Sequence, residues 1–215
     1  MKTYLMLKRA YSERPPGVSP DEDDRSSEDL IEYFLERFSR EGDTVFDPFA
    51  GYGTTLLVAQ RMGRIPYGVE RDERRVAYAR SKLHQPSHMI CGDAQHIESL
   101  DVPSFDVSIT SPPFMEKGEI RNPLASHSRE GMEYASYIQS LKLIFEQVRR
   151  LMKPGAHVVV EVVNIKSGRG VTTFSWDVGT ALSEVLTFQG EVIICHEGSL
   201  FGYHHSYCLV FSNQE

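Results

Sequence analysis

Apolar positions along the chain fall into two rhythms. Leu30, Ile31, Phe34, Leu35 and Phe38 recur at helical spacing, so one stripe faces a core. Ser26 or Ser27 is placed to cap that helix, which should run to about residue 40, where Gly42 stops it. Short apolar runs then alternate with further helical stretches. Runs at 44–46, 66–70, 88–91, 105–110, 156–163, 191–195 and 207–211 read as strands. The run at 156–163 is almost unbroken, as in a central strand covered on both faces. Helical stretches lie between them, from about 54, 72, 133 and 175. In the longest, Tyr137, Leu141, Ile144, Phe145, Val148 and Leu151 share one face.

This alternation predicts an α/β fold with a doubly wound, mostly parallel, seven-stranded sheet. The last two strands are joined closely enough for a hairpin, so the last should be antiparallel. Residues 1–25 carry Pro15, Pro16, Gly17 and Pro20 and read as an irregular arm. Residues 26–215 then form a single domain. The stretch 115–132 has no periodicity and is long enough to be a substrate loop.

Two sequences at strand ends carry the chemistry. The first is Asp47-Pro48-Phe49-Ala50-Gly51-Tyr52-Gly53-Thr54-Thr55, between a strand and a helix. Its glycines let a backbone approach a ligand closely, and the helix start offers free N–H groups. The position three beyond Gly53 is Leu56, which breaks the dinucleotide fingerprint. Glu70 ends the second strand, where an acid can accept from the hydroxyls of a ribose. The second sequence is Ser111-Pro112-Pro113-Phe114, directly after the fourth strand. Ligands bind at such carboxyl ends in open α/β sheets.

These motifs resemble DPFxGxGTT and [DNS]PP[YFW] of S-adenosylmethionine-dependent amino-methyltransferases, the DNA N4-cytosine/N6-adenine methyltransferase family. The resemblance implies a Rossmann-like class I methyltransferase fold. It implies S-adenosyl-L-methionine held by Asp47, Pro48, Phe49, Ala50, Gly51, Gly53, Thr54 and Thr55, with Glu70 on the ribose and Asp93 on the adenine amine. Asp93 reads equally as a helix cap. It implies Ser111, Pro112, Pro113 and Phe114 as catalytic residues. An aromatic amine is a poor nucleophile because its lone pair is delocalised into the ring. The Ser111 side chain and the Pro112 carbonyl would accept its two N–H groups and aim the nitrogen at a sulfonium methyl. Phe114 would stack on the ring. Lys8-Arg9-Ala10-Tyr11 is the segment that would fold over the cofactor, against the plain reading of a flexible arm.

Serine in the first position of this motif is associated with cytosine N4, so the acceptor expected is cytosine N4, or adenine N6, in DNA. An RNA base or a small amine is the alternative, and a non-catalytic cofactor-binding subunit is a third. No insertion of the size of a target-recognition domain is evident, which leaves the 115–132 loop, a partner subunit or a homodimer to read the target. Arg121 and Arg129 in that loop are the candidate phosphate contacts.

Composition narrows the class further. The 215 residues are 40% hydrophobic, enough for one sizeable core. A formal net charge of −7 argues against tight binding of any nucleic acid through its backbone alone. Cys91, Cys195 and Cys208 are widely spaced and fit no metal pattern, so no metal is expected. With no membrane-length apolar run and no signal-peptide core, the chain is expected in the cytoplasm, away from membranes.

Overall fold

The computed structural model describes residues 2–8, 11–19, 25–119, 122–124 and 134–213, the side chains of 196–200 excepted. Its centre is an eight-stranded sheet. In chain order the strands are β1 (Tyr4–Leu7), β2 (Thr44–Asp47), β3 (Ile65–Glu70), β4 (Met89–Cys91), β5 (Phe105–Thr110), β6 (Met152–Val162), β9 (Thr187–Leu200) and β10 (Tyr203–Ser212). Two short strands, β7 (Ile165–Ser167) and β8 (Gly170–Thr172), make a separate antiparallel hairpin. Across the large sheet the order is β1-β9-β10-β6-β5-β2-β3-β4. Only β10 runs against its neighbours, pairing antiparallel with both β6 and β9. The doubly wound sheet with one reversed strand is therefore as the alternation implied.

Three strands depart from that expectation. Tyr4–Leu7, inside the stretch read as irregular, adds as an eighth, parallel strand along β9. Four residues with one buried side chain, Leu5, are too short a signal for periodicity to register. The β7–β8 hairpin was likewise hidden, because three-residue strands carry no alternation.

Helices cover both faces. On one side lie α1 (Glu28–Phe38), α2 (Thr54–Arg61) and α3 (Glu73–Arg80). The predicted stripe of α1 is buried there with Val45, Val107, Ile109 and Val159. On the other side lie α4 (Tyr134–Arg150) and α5 (Phe174–Ser183), whose apolar faces join Phe105, Val158, Val160 and Phe211. Ser27 occupies the cap position of α1, yet its hydroxyl makes no capping bond and is buried without a partner among the described residues. Ser26 is turned elsewhere, towards β6.

The sheet packs most tightly against the glycine turn. A Cβ built on Gly68 of β3 would come within 2.7 Å of the Ala50 Cβ and 2.8 Å of the Leu56 Cδ1. The strand therefore lies against the turn and the first coil of α2 at a distance only glycine permits. Gly68→Ala should overpack this seam and lower unfolding free energy by about 1–3 kcal/mol. Urea denaturation measures that loss, and an unchanged midpoint would show that the seam yields without cost.

Candidate functional site

The carboxyl ends of β2, β3, β4 and β5 open into one cavity of about 730 Å³, lined by residues 47–52, 54–55, 69–72, 92–94 and 111–114 among others. Its size is that of a small-molecule site. Both motifs and both predicted acids thus share one wall system, although they are far apart in sequence. The cavity is built on strand ends and turns, where backbone groups are free to face a ligand.

The glycine turn follows β2. Gly51 and Gly53 have φ of 53° and 83°, the left-handed region that glycine enters without strain. Gly53 stands at the start of α2, so Thr54 and Thr55 form the helix's first turn beside the cavity. Glu70 is fixed from two directions. Its Oε2 accepts the Gly51 N–H at 3.1 Å, and its Oε1 accepts the Asp72 N–H at 2.7 Å. A carboxylate has about four lone-pair sites, so each oxygen keeps capacity for the cavity. Asp93 does act as a cap: its Oδ1 accepts the Gln95 N–H at 2.9 Å. It also lines the cavity, so the two readings of this residue are compatible.

The second motif is braced on three sides. The Ser111 hydroxyl donates to the Glu161 carbonyl at 3.2 Å. Its one proton is thereby committed, which leaves the oxygen of this cavity-lining residue with acceptor capacity. The Pro113 carbonyl takes the buried Tyr137 hydroxyl, which ties the motif to α4. That leaves Pro112 on the cavity wall. Phe114 is set edge-to-face between Phe174, at 5.4 Å between ring centres, and Phe201, at 5.1 Å. Tyr137 read only as a core residue, because its stripe spacing is that of ordinary packing.

Other residues of the site had no signal of their own. Ser26 donates to the Glu161 carboxylate at 2.5 Å, and Ser206 of β10 donates to the other oxygen at 2.8 Å. Arg25 lines the cavity with its guanidinium 4.6 Å from the centre of the Tyr11 ring. Tyr11 in turn donates its hydroxyl to the Arg25 carbonyl at 2.6 Å. So the arm reaches the cavity rim through Tyr11, while Arg9 and Ala10 lie outside the described residues. Arg25 and Ser26 sit among prolines and charges in the sequence, where nothing periodic marks them.

Glu116, Glu119, Pro123 and Leu124 of the 115–132 stretch line the cavity. Glu116 pairs with Arg169 of the β7–β8 turn at 2.9 Å, and the Lys117 N–H donates to Thr172 at 2.9 Å. Further on, the Pro123 carbonyl accepts from Arg71, and the Leu124 carbonyl accepts from Gln95 at 2.6 Å. Arg71 follows Glu70 in the chain and Gln95 bonds to Asp93, so this second segment lies beside those two acids. Arg121 and Arg129 lie outside the described residues. No group of three His, Cys, Asp or Glu side chains able to hold a metal occurs among the described residues.

Comparison with known proteins agrees with this geometry. Residues 23–81 match the family described as DNA methylase. Over 56 residues the chain is 43% identical to the type II methyltransferase M2.DpnII of Streptococcus pneumoniae, covering 24% of this chain and 21% of that one. It is 38% identical over 58 residues to M2.LlaDCHI of Lactococcus lactis, covering 25% and 22%. The matched stretch thus spans about a fifth of these relatives' length. Among solved structures, TrmN from Thermus thermophilus superposes with a TM-score of 0.64 at 18% identity, over 88% of this chain and 49% of that one. The magnesium protoporphyrin IX methyltransferase of Synechocystis, with bound SAM, gives 0.55 at 13% identity, over 86% and 77%. The fold is that of class I S-adenosylmethionine-dependent methyltransferases.

Asp47 joins the two motifs directly. It is 4% exposed, and its Oδ1 accepts the Thr110 hydroxyl at 2.6 Å and the Phe49 N–H at 3.0 Å. Thr55 bonds to it as well. Burial pushes its pKa up to about 6 from 3.8; these three bonds oppose the rise, and the Glu70 charge adds to it. The sign follows from linkage. The folded state holds a proton that the unfolded state releases between these two values, so stability is greatest in acid and is lost as pH rises through about 6. Asp47→Asn has no such titration. Between about pH 4 and pH 7, wild-type stability relative to Asp47→Asn should fall by about 2 kcal/mol. Urea unfolding of both proteins across that range measures the difference, and a constant difference would mean that Asp47 is charged throughout.

Proposed function

We propose that this chain, which matches the DNA methylase family over residues 23–81, transfers a methyl group from S-adenosyl-L-methionine to the exocyclic amine of a nucleobase. The single observation that carries the reading is the meeting of the two motifs at one cavity, whose lining includes Glu70 and Asp93 as well as Ser111 and Phe114.

The residues present suit the cofactor. The Glu70 carboxylate, already held by two backbone N–H groups, would accept from the ribose hydroxyls. Asp93 would accept from the adenine amine. Gly51, without a Cβ and with open space where one would stand, lets that part of the ligand lie on the backbone. Acids outnumber bases along the lining, which favours a cationic sulfonium. When bound, the cofactor supplies an electrophilic methyl group.

The chain's own part is to position the acceptor. Ser111 and the Pro112 carbonyl accept its two N–H groups, so the nitrogen lone pair points along the cavity. Ser111 is suited because its own proton is spent on the Glu161 carbonyl. Phe114 offers a ring face held by Phe174. The nitrogen would gain the methyl group as the sulfonium becomes a neutral thioether, and the methylated nitrogen would then release one proton to solvent. No enzyme-bound covalent stage is needed, and the rate derives from orientation. Serine at the head of the motif favours cytosine N4 over adenine N6, in DNA before RNA, with Arg121 and Arg129 as phosphate contacts. The acceptor base must stand outside any duplex to reach Ser111.

Methyl-labelled cofactor, followed by nucleoside mass spectrometry of DNA and RNA substrates, tests the assignment. Label on an exocyclic nitrogen is expected; label on carbon, on oxygen or on no base at all would refute it. Glu70→Ala should weaken cofactor binding about 10- to 150-fold, as for loss of hydrogen bonds to a charged group. Ser111→Ala should lower turnover about 10- to 100-fold with cofactor affinity nearly intact. Calorimetry separates the two effects, and equal loss of both in Ser111→Ala would give the motif a purely structural role.

A further inference from the structure

At the catalytic end of the sheet, no helix among the described residues covers one face of β1, β9 and β10. Residues paired in register share a face. Tyr4 pairs with Ile193 and Met6 with Cys195, while Ile193 pairs with Tyr207 and Cys195 with His205. The opposite face is ordinary core: Leu5, Val192, Ile194 and Cys208 are all buried against α1. On the open face Tyr4 is 62% exposed and Met6 72%, and Ile193, Cys195, His205 and Tyr207 are half-buried. Helix α5 covers the same face only lower down β10, where Gly179 approaches Leu209.

The rings on this face form a continuous row. Tyr203 and His205 are 5.5 Å apart edge-to-face, and His205 and Tyr207 are 5.2 Å apart, with 3.1 Å between the His205 Nε2 and the Tyr207 hydroxyl. Two positions before Tyr203, at the hairpin tip, stands Phe201, whose φ of 50° is the only positive value at a described non-glycine residue. Phe201 touches Phe114 and lines the cavity. The chain thus runs from this row through the hairpin tip to the Ser111–Phe114 motif.

We infer that this face is a track for the single strand that carries the acceptor base. The inference rests on the nucleobase reading above and names what holds the bases beside the target. Met6, Ile193 and Cys195 supply apolar surface along this face, and the row beside them is tyrosine and histidine, rings that stack on bases while their polar tips hydrogen-bond base edges. Stacking also resolves the charge problem. A chain of net charge −7 is poorly suited to hold a strand by its phosphates alone, and ring stacking does not depend on them.

Fluorescence anisotropy of the full chain with end-labelled single-stranded DNA and RNA tests this, with S-adenosylhomocysteine present. Tyr203→Ala and Tyr207→Ala should each weaken strand binding about 5- to 100-fold. Tyr207→Phe, which keeps the ring, should restore it. Calorimetric cofactor affinity should stay unchanged in all three, which shows that the fold survives. The DNA and RNA arms identify the strand that is held. Wild-type strand affinity in both alanine variants would overturn the inference. So would sedimentation showing that two copies associate through this face and that Met6→Glu separates them. If the wild-type chain binds strands through these rings but methylates no base, the track stands and only the catalytic reading falls.

Discussion

Burying the Asp47 carboxylate costs free energy, and three hydrogen bonds offset part of that cost while tying the site together. The donors come from three places: the Phe49 N–H of the glycine turn, Thr55 in the first coil of α2 and Thr110 at the end of β5. One carboxylate therefore joins the turn, the helix start and the strand that leads into Ser111. Thr110 immediately precedes Ser111, so the link at 2.6 Å fixes the second motif relative to the first. Glu161 repeats the device on the neighbouring strand, where Ser26, Ser206 and Ser111 converge on it. Two buried acids with satisfied oxygens thus set the geometry of a cavity whose walls are otherwise turns.

Much of this was legible because strand ends and sequence motifs coincide. Seven strands followed from short apolar runs, and the burial of α1 followed from its stripe. Glu70, which lines the cavity, stood out in the sequence because an acid at the tip of the second parallel strand has a defined place in such sheets. What escaped was fixed by contacts distant in sequence. Ser26 meets Glu161 across 135 positions, and Tyr137 meets Pro113 from a helix face that reads as core. The eighth strand escaped because an edge strand of four residues buries a single side chain. The expected Ser27 cap failed because tertiary packing buried the hydroxyl away from the helix N–H groups.

The cavity lining combines charge and rings. Arg71 and Gln95 hold the 122–124 segment beside Glu70 and Asp93. Phe114, held between Phe174 and Phe201, brings an aromatic ring to the same wall system. Acids outnumber bases along the lining as a whole, and the rings are confined to a few positions of it.

The most direct test of this account is a crystal structure with S-adenosylhomocysteine bound. The account predicts the ribose hydroxyls on Glu70, the adenine amine near Asp93 and the sulfur directed at Ser111 and Pro112, with the Asp47–Thr110 bond intact. A nucleoside lying in the reverse sense, with its base against Phe114, would contradict it, as would a ligand bound outside the cavity.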